Sequence, residues 1–281
     1  VSSHGSVELQ QVKGPSALGG GWRRFGDLLY LISVTEFKKT YFGAALGYLW
    51  SVLRPLLLFA VLLFVFTKIF RLGDQVEHYP AMLLFNVVLY GFFSEATSAA
   101  VTSIVNQEGI VRKTQFPRLV IPLSVVVTGL FNLGVNLVVV LAFLLALGVE
   151  PQWTWLLFPL VGLVLFAFAT SVSMGLASLY VSFRDTAIIW SVAVTALFYA
   201  TPILYPLELV PEAYRDWVLL NPLTLLFEQA RHWVIDPGAP GAVDAAGGWL
   251  GLLPAASVFV AICGLGILLF TRAAPRIAEE L

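Results

Sequence analysis

Glu95 is the one carboxyl group set deep inside an apolar run, and Ser94, Thr97, Ser98, Thr102 and Ser103 accompany it. A carboxylate among hydroxyls in such a run either lines a polar path or hydrogen-bonds to a neighbouring helix. A proton relay would need acidic or basic partners in the other runs, and the sequence offers none that reads as such. Other chemistries lack their residues. Lys13, Lys38, Lys39, Lys68 and Lys113 all follow residues other than glycine, so no G-x-x-x-x-G-K-[ST] loop can cradle ATP phosphates. His4, His78 and His232 are too widely spaced to read as a metal pair, and no G-x-S-x-G nucleophile elbow occurs. Cys263 stands alone, which excludes an internal disulfide and a thiolate zinc cluster. The chain is expected to hold no metal and to catalyse nothing by itself.

The elements that position Glu95 follow from composition. The 281 residues are 59% hydrophobic and 12% charged, with mean hydropathy +0.87, so the bilayer is their expected solvent. A net charge of −1, spread over the ends of apolar runs, gives no nucleic-acid surface. About 20 apolar residues cross the hydrocarbon layer. Runs at 50–70, 81–105, 119–148, 155–180, 186–205 and 248–270 meet that length, the fifth least clearly. The expected fold is all-α: six transmembrane helices, an N-terminal interfacial helix and an outer re-entrant helical hairpin. The hairpin falls at 206–247, where the apolar patches around Trp217 and Leu223 are too short to span and are parted by Asn221 and Pro222. No tandem or inverted repeat is visible.

With the N-terminus inside, only Lys68, Arg71, Arg215 and Arg231 of the 16 Lys and Arg fall outside, a strong positive-inside bias. Both termini are therefore expected in the cytoplasm. Four regions are expected: a mobile, uncleaved tail at 1–21, an interfacial amphipathic helix at 22–45, a membrane domain at 46–272 and a short tail at 273–281. Over residues 22–41, Phe25, Leu29 and Ile32 share one face, while Tyr30, Val34, Phe37 and Tyr41 lie opposite. Arg23, Arg24, Asp27 and Lys38 fill an arc between them. Two apolar faces suit a helix in the headgroup layer, against lipid and protein at once.

Several short motifs carry a family resemblance. Lys38-Lys39-Thr40-Tyr41, then Leu46-Gly47-Tyr48-Leu49-Trp50 and Arg54-Pro55-Leu56, resemble the entrance signature of type 2 ABC transporter permeases that export polysaccharides. Arg112-Lys113-Thr114-Gln115-Phe116-Pro117 looks like that family's cytoplasmic segment between its second and third spans. Phe183-Arg184-Asp185 resembles its next cytoplasmic loop, and Thr201-Pro202-Ile203 with Asn221-Pro222-Leu223 resembles its outer re-entrant region. The likeness runs from Trp22 onward and is nearest to the O-antigen, teichoic acid and galactan groups, with Ala, Gly and Val richness leaning toward galactan.

The resemblance implies a homodimer in the bacterial plasma membrane, bound to two copies of an ATPase subunit that holds Mg-ATP, moving a lipid-linked glycan outward. It implies ATPase coupling through Gln107, Ile110, Val111, Arg112, Lys113, Gln115, Phe116 and Arg118, and through Arg184 and Asp185, the last also a candidate helix cap. Arg23, Arg24, Lys38, Lys39 and Tyr41 become entrance residues, facing membrane lipids and cargo. Glu95, Ser98 and Thr102 become path residues, joined by Tyr48, Trp50, Tyr90 and Phe93, on whose rings sugar faces can slide. Tyr205, Tyr214 and Trp217 are placed at an outer gate. Two alternatives stand beside this reading. One is a drug or small-lipid exporter permease. The other is a polyprenyl-linked transferase, which would need a Mg²⁺ cluster such as Asp74, Glu77 and His78 on the opposite face of the membrane.

Overall fold

The computed structural model describes residues 21–41, 47, 49–72, 76, 78–109 and 117–275, and all regular structure among them is helical. In chain order the helices are α1 (Trp22–Tyr41), α2 (Leu49–Phe64), α3 (Tyr79–Asn106), α4 (Val120–Ala146) and α5 (Phe158–Ser182). They are followed by α6 (Thr186–Ala200), α7 (Glu212–Leu219), α8 (Pro222–Val234), α9 (Ala242–Ala245) and α10 (Leu252–Ala273). A π turn, Val65–Ile69, prolongs α2, and tight 3₁₀ turns lead into α5 and α10. Five helices are long and apolar enough to cross a membrane: Leu49–Ile69, Tyr79–Asn106, Val120–Ala146, Trp153–Ser182 and Trp249–Ala273.

α3 is the axis of the bundle. Its apolar residues have no single preferred side, the pattern of a helix enclosed by others, and most of it is buried, whereas α2 and α10 bury few of their residues. Packing, rather than water exclusion, holds helices together in lipid. Phe93 of α3 stacks on Phe168 of α5 at 5.6 Å, and Phe168 on Phe259 of α10 at 5.1 Å. Close approach needs small residues at two crossings. Gly129 of α4 lies where a Cβ would press on Ala96 and Phe92, and Gly266 of α10 lies where a Cβ would run into the Ser171 carbonyl of α5.

The fifth predicted run departs from expectation. Its helix stops at Ala200 because Pro202 forces Thr201 out of helical geometry, to φ −95°, ψ 140°. Fifteen residues span about 22 Å, less than the hydrocarbon layer. The chain nonetheless continues along α3 without helix. Trp190 Nε1 donates to Thr97 Oγ1 (3.2 Å), the Tyr90 hydroxyl to the Val194 carbonyl, Asn86 Nδ2 to the Pro202 carbonyl (3.3 Å) and the Tyr79 hydroxyl to the Leu204 carbonyl (2.8 Å). Non-helical backbone inside a bundle requires donors, and Asn86 and Tyr79 of α3 supply them.

α2 shows the same logic. Pro55 lies inside the helix and has no N–H for the Ser51 carbonyl four residues back. Asn136 Nδ2 of α4 donates to that carbonyl instead, at 3.1 Å. Along α4, Ser33 meets Ser124 and Thr128, Phe37 meets Phe131, Ser51 meets Asn136 and Phe59 meets Phe143, so α1 and then α2 follow α4 in one direction. The two apolar sides of α1 do not separate cleanly, since Phe37 packs on Phe131 while Tyr30 of the same side is exposed. Phe25 and Ser33 are buried, whereas Tyr30 and Leu31 are exposed.

Candidate functional site: a polar stripe between two ends

Glu95, Ser98, Ala99 and Asn106 are exposed on α3, with Thr102 half-buried between them. The intervals of three and four residues put them on one side of the helix. The opposite side carries Phe93, Ala96, Thr97 and Ala100, all buried. The stripe opens into a cleft of about 380 Å³ between α1, α3 and α4, lined by Glu36, Glu95, Ser103, Asn106, Gln107, Thr128 and Asn132 among others. A second cleft of about 430 Å³ shares Glu36, Asn106 and Gln107 and adds Thr35 and Lys39. Asn132 Nδ2 reaches Glu95 Oε1 at 3.4 Å, and Asn136 Nδ2 also donates to the Asn132 carbonyl at 2.9 Å. Polar groups thus connect Glu95 through α4 to the Pro55 break in α2. The sequence suggested no charged partner for Glu95, but the fold brings the Arg54 guanidinium of α2 near enough to act on it electrostatically.

The profile of the family described as ABC-2 type transporter matches residues 27–234, from α1 through α8. The chain belongs to the ABC-2 type transporter family. It is similar to the O-antigen export system permease protein RfbA of Myxococcus xanthus, 34% identical over 72% of this chain and 78% of that one. The like-named RfbA of Klebsiella pneumoniae is 30% identical over 91% of this chain and 95% of its own length. The polysialic acid transport protein KpsM of Escherichia coli is more distant, at 23% identity over 71% of this chain and 78% of that protein.

Two of the aromatic path candidates in this ABC-2 chain lie elsewhere than expected. Tyr90 and Phe93 are core residues, 4% and 1% exposed, the first bonded to α6 and the second stacked on α5. Aromatic type alone cannot tell a lining ring from a packed one, and the period of α3 puts both away from Glu95. Trp50 is exposed at the start of α2. Tyr48 and the side chain of Tyr41 lie outside the described residues.

One end of the bundle gathers the basic segments. Ile104, Ile121, Val181 and Phe270 form one apolar cluster there, bringing together the end of α3, the start of α4 and the ends of α5 and α10. Gln107 follows α3, with its side-chain oxygen buried and without a hydrogen-bond partner among the described residues. Arg118 is half-buried in the turn before α4. Ile110, Val111, Arg112, Lys113, Gln115 and Phe116 lie outside the described residues. Arg184 sits over the Tyr180 ring at 5.0 Å, and both it and Asp185 are exposed. Asp185 occupies the N-cap position of α6 but makes no side-chain cap bond. Arg23, Arg24, Lys38 and Lys39 are exposed along α1, with Lys39 paired to Glu36 at 3.2 Å.

At the other end, α8 packs into the main core through Leu223, Phe227, Ala230 and Val234. Asn221 starts α8 by accepting from Leu223 N at 3.1 Å, and its amide donates to Thr201 Oγ1 at 2.8 Å. Tyr214 and Trp217 of α7 are exposed, and the Tyr205 hydroxyl donates to the Tyr199 carbonyl at 3.0 Å. A charge cluster around the buried Arg231 and Glu228 lies at this end, and sequence reading missed it. Arg231 meets Glu208 at 3.1 Å, Glu228 at 3.5 Å and Asp236 at 3.9 Å. Burial pushes the Glu228 carboxyl up to about 7, with nearby Glu208 adding to the rise and Arg231 opposing it. The spacing of Glu228 and Arg231, three residues apart on an amphipathic helix, was the available signal.

Proposed function

We propose that this chain is the membrane permease of an ABC exporter that moves a lipid-linked polysaccharide from the cytoplasmic to the outer face of the plasma membrane. The observation that carries it is the nearly end-to-end likeness to an O-antigen export permease, 30% identity over 91% of this chain and 95% of that one. A separate ATPase subunit supplies the energy, since the sequence has no P-loop. Two permeases and two ATPases form the working unit. In this reading the basic end faces the cytoplasm, and Gln107 to Arg118 together with Arg184 and Asp185 receive the ATPase. Arg23, Arg24, Lys38 and Lys39 meet the anionic headgroups and the cargo's lipid anchor. Glu95, Ser98, Thr102 and Trp50 line the path, and Tyr205, Tyr214 and Trp217 gate its outer mouth.

The test is reconstitution of the permease with its ATPase in proteoliposomes. A lipid-linked polysaccharide should stimulate ATP hydrolysis and become accessible to glycosidase at the face opposite the ATPase. Stimulation by small apolar drugs in its place would overturn the glycan reading.

A further inference from the structure

We infer that the lipid leaflet at the basic end is drawn up along α1, so that its headgroups reach the depth of Glu95 instead of stopping where α10 ends. The depth rests on geometry alone, and its meaning for cargo rests on the export reading above.

Two flanks of the bundle disagree about where the membrane begins. The basic end supplies a common level, because Ile104, Ile121, Val181 and Phe270 meet there in one cluster. On the α10 flank the apolar surface continues down to that level. Val260, Leu265, Ile267 and Leu268 are exposed along it, and the charge it ends on is Arg272 in its last turn. On the α1 flank charge stands much higher. α1 follows α4 upward, with Ser33 bonded to Ser124 and Thr128 and Phe37 packed on Phe131. Helical rise from Ile121 to Phe131 puts Phe37 about 15 Å above the common level. Beside Phe37 stand Glu36, Lys38 and Lys39, and both lysines are exposed. The same rise, counted up α10 from Phe270, arrives at Val260, which is 66% exposed. A second route gives the same height. Phe259 stacks on Phe168, Phe168 on Phe93, and Glu95 beside Phe93 takes its bond from Asn132, the neighbour of Phe131.

One height therefore carries a bare valine on one flank and two exposed lysines on the other. A charge in hydrocarbon is costly, and snorkelling moves it only by the length of its own side chain, well short of this height. Headgroups suit α1 along its whole length. Counted back from Ser33, Arg23 and Arg24 fall below the common level, while Tyr30 and Leu31 are exposed between them and the lysines. Cations, a tyrosine and scattered apolar side chains are the composition of a helix in the headgroup layer, and the lysines complement anionic phosphates. The layer is thus inclined, rising with α1. A lipid-linked glycan whose phosphates follow it arrives level with Glu95, with about half of the hydrocarbon left to cross.

Depth-dependent quenching tests this in proteoliposomes of the full permease and ATPase complex, with Cys263 replaced by Ala. An uncharged bimane is attached at Lys38→Cys, Val260→Cys or Arg272→Cys. It is quenched by a phospholipid with a nitroxide on its headgroup or by one with the nitroxide halfway along its chain. The Lys38→Cys label should behave like the Arg272→Cys label, with headgroup quenching at least about twofold above chain quenching, and the Val260→Cys label should show the reverse. Val34→Cys, one turn lower with both lysines kept, should give the same order as Lys38→Cys. Predominant chain quenching on α1 overturns the inference. Headgroup quenching as strong at Val260→Cys as on α1 also overturns it, since both flanks would then share one boundary. Little quenching on α1 by either lipid overturns it as well, because a second copy or a sealed water-filled cavity would then cover α1 in place of lipid. None of these results involves transport, so each leaves the export reading standing, and a failure to export lipid-linked glycans leaves the measured depth standing in turn.

Discussion

Glu95 has two contacts that point to different duties. Its carboxyl faces the cleft on α3, and it also takes a long hydrogen bond from Asn132. Gln at this position keeps the size and the bond, whereas Leu removes the bond, worth about 0.6 to 2 kcal/mol in a bilayer, and makes the stripe greasy. If the stripe is the path, Glu95→Leu should slow export several-fold at near-normal thermal stability, and Glu95→Gln should be mild. A lowered melting temperature with normal transport per folded complex would assign Glu95 to packing instead. Glu228 poses a separate question. Its folded pKa of about 7 lies above the 4.5 of an ordinary glutamate, so between those values the folded chain holds more proton than the unfolded one. Stability should therefore fall as pH rises from about 4.5 to 7 and level off above. Glu228→Gln should flatten that slope and help most above pH 7. A wild-type melting temperature flat over this range would show that Arg231 fully compensates the charge.

At the scale of elements, the legible parts were those with a local cause. Apolar runs of sufficient length gave the helices, Pro202 and Asn221-Pro222 marked the breaks, and the serine and threonine residues around Glu95 marked the polar stripe. What stayed hidden was pairing between distant segments. Asn136 reads as an isolated amide in an apolar run, yet it fills the gap that Pro55 leaves in α2. Tyr79 and Asn86 read as ordinary residues of a span, yet they serve the carbonyls of residues 202–204. No periodicity reports such matches, because donor and acceptor lie 85 to 125 residues apart. Asn136→Leu should remove the hydrogen bond to the Ser51 carbonyl at a cost of about 0.6 to 2 kcal/mol, lowering the complex's melting temperature. A value equal to wild type would mean that α2 does not need the bond. Gly266→Val should act more strongly, since its side chain meets the Ser171 carbonyl and α5 and α10 would have to part, at about 1 to 3 kcal/mol.

Across the whole molecule, charge is sorted by end. Arg118, Arg184 and Arg272 gather where α3 and α5 finish, and Glu208, Glu212, Asp216, Glu228 and Asp236 gather where α6, α7 and α8 meet. An even spread would leave orientation undecided, but this one favours the basic end inside, the side on which an ATPase can reach it. Two positions read this directly. Cysteine at Gln115, in the basic segment between α3 and α4, should react with a membrane-impermeant maleimide only from the cytoplasmic side, and the bound ATPase should slow that reaction at least several-fold. Cysteine at Tyr214, exposed on α7, should react only from the outside and be indifferent to the ATPase. The native Cys263 is replaced by Ala in both so that a single thiol reports. Reaction of the Gln115 cysteine from outside would invert the topology and move the proposed coupling surface to the wrong face. Labelling from inside at an unchanged rate with the ATPase bound would keep the topology and remove this segment from the contact.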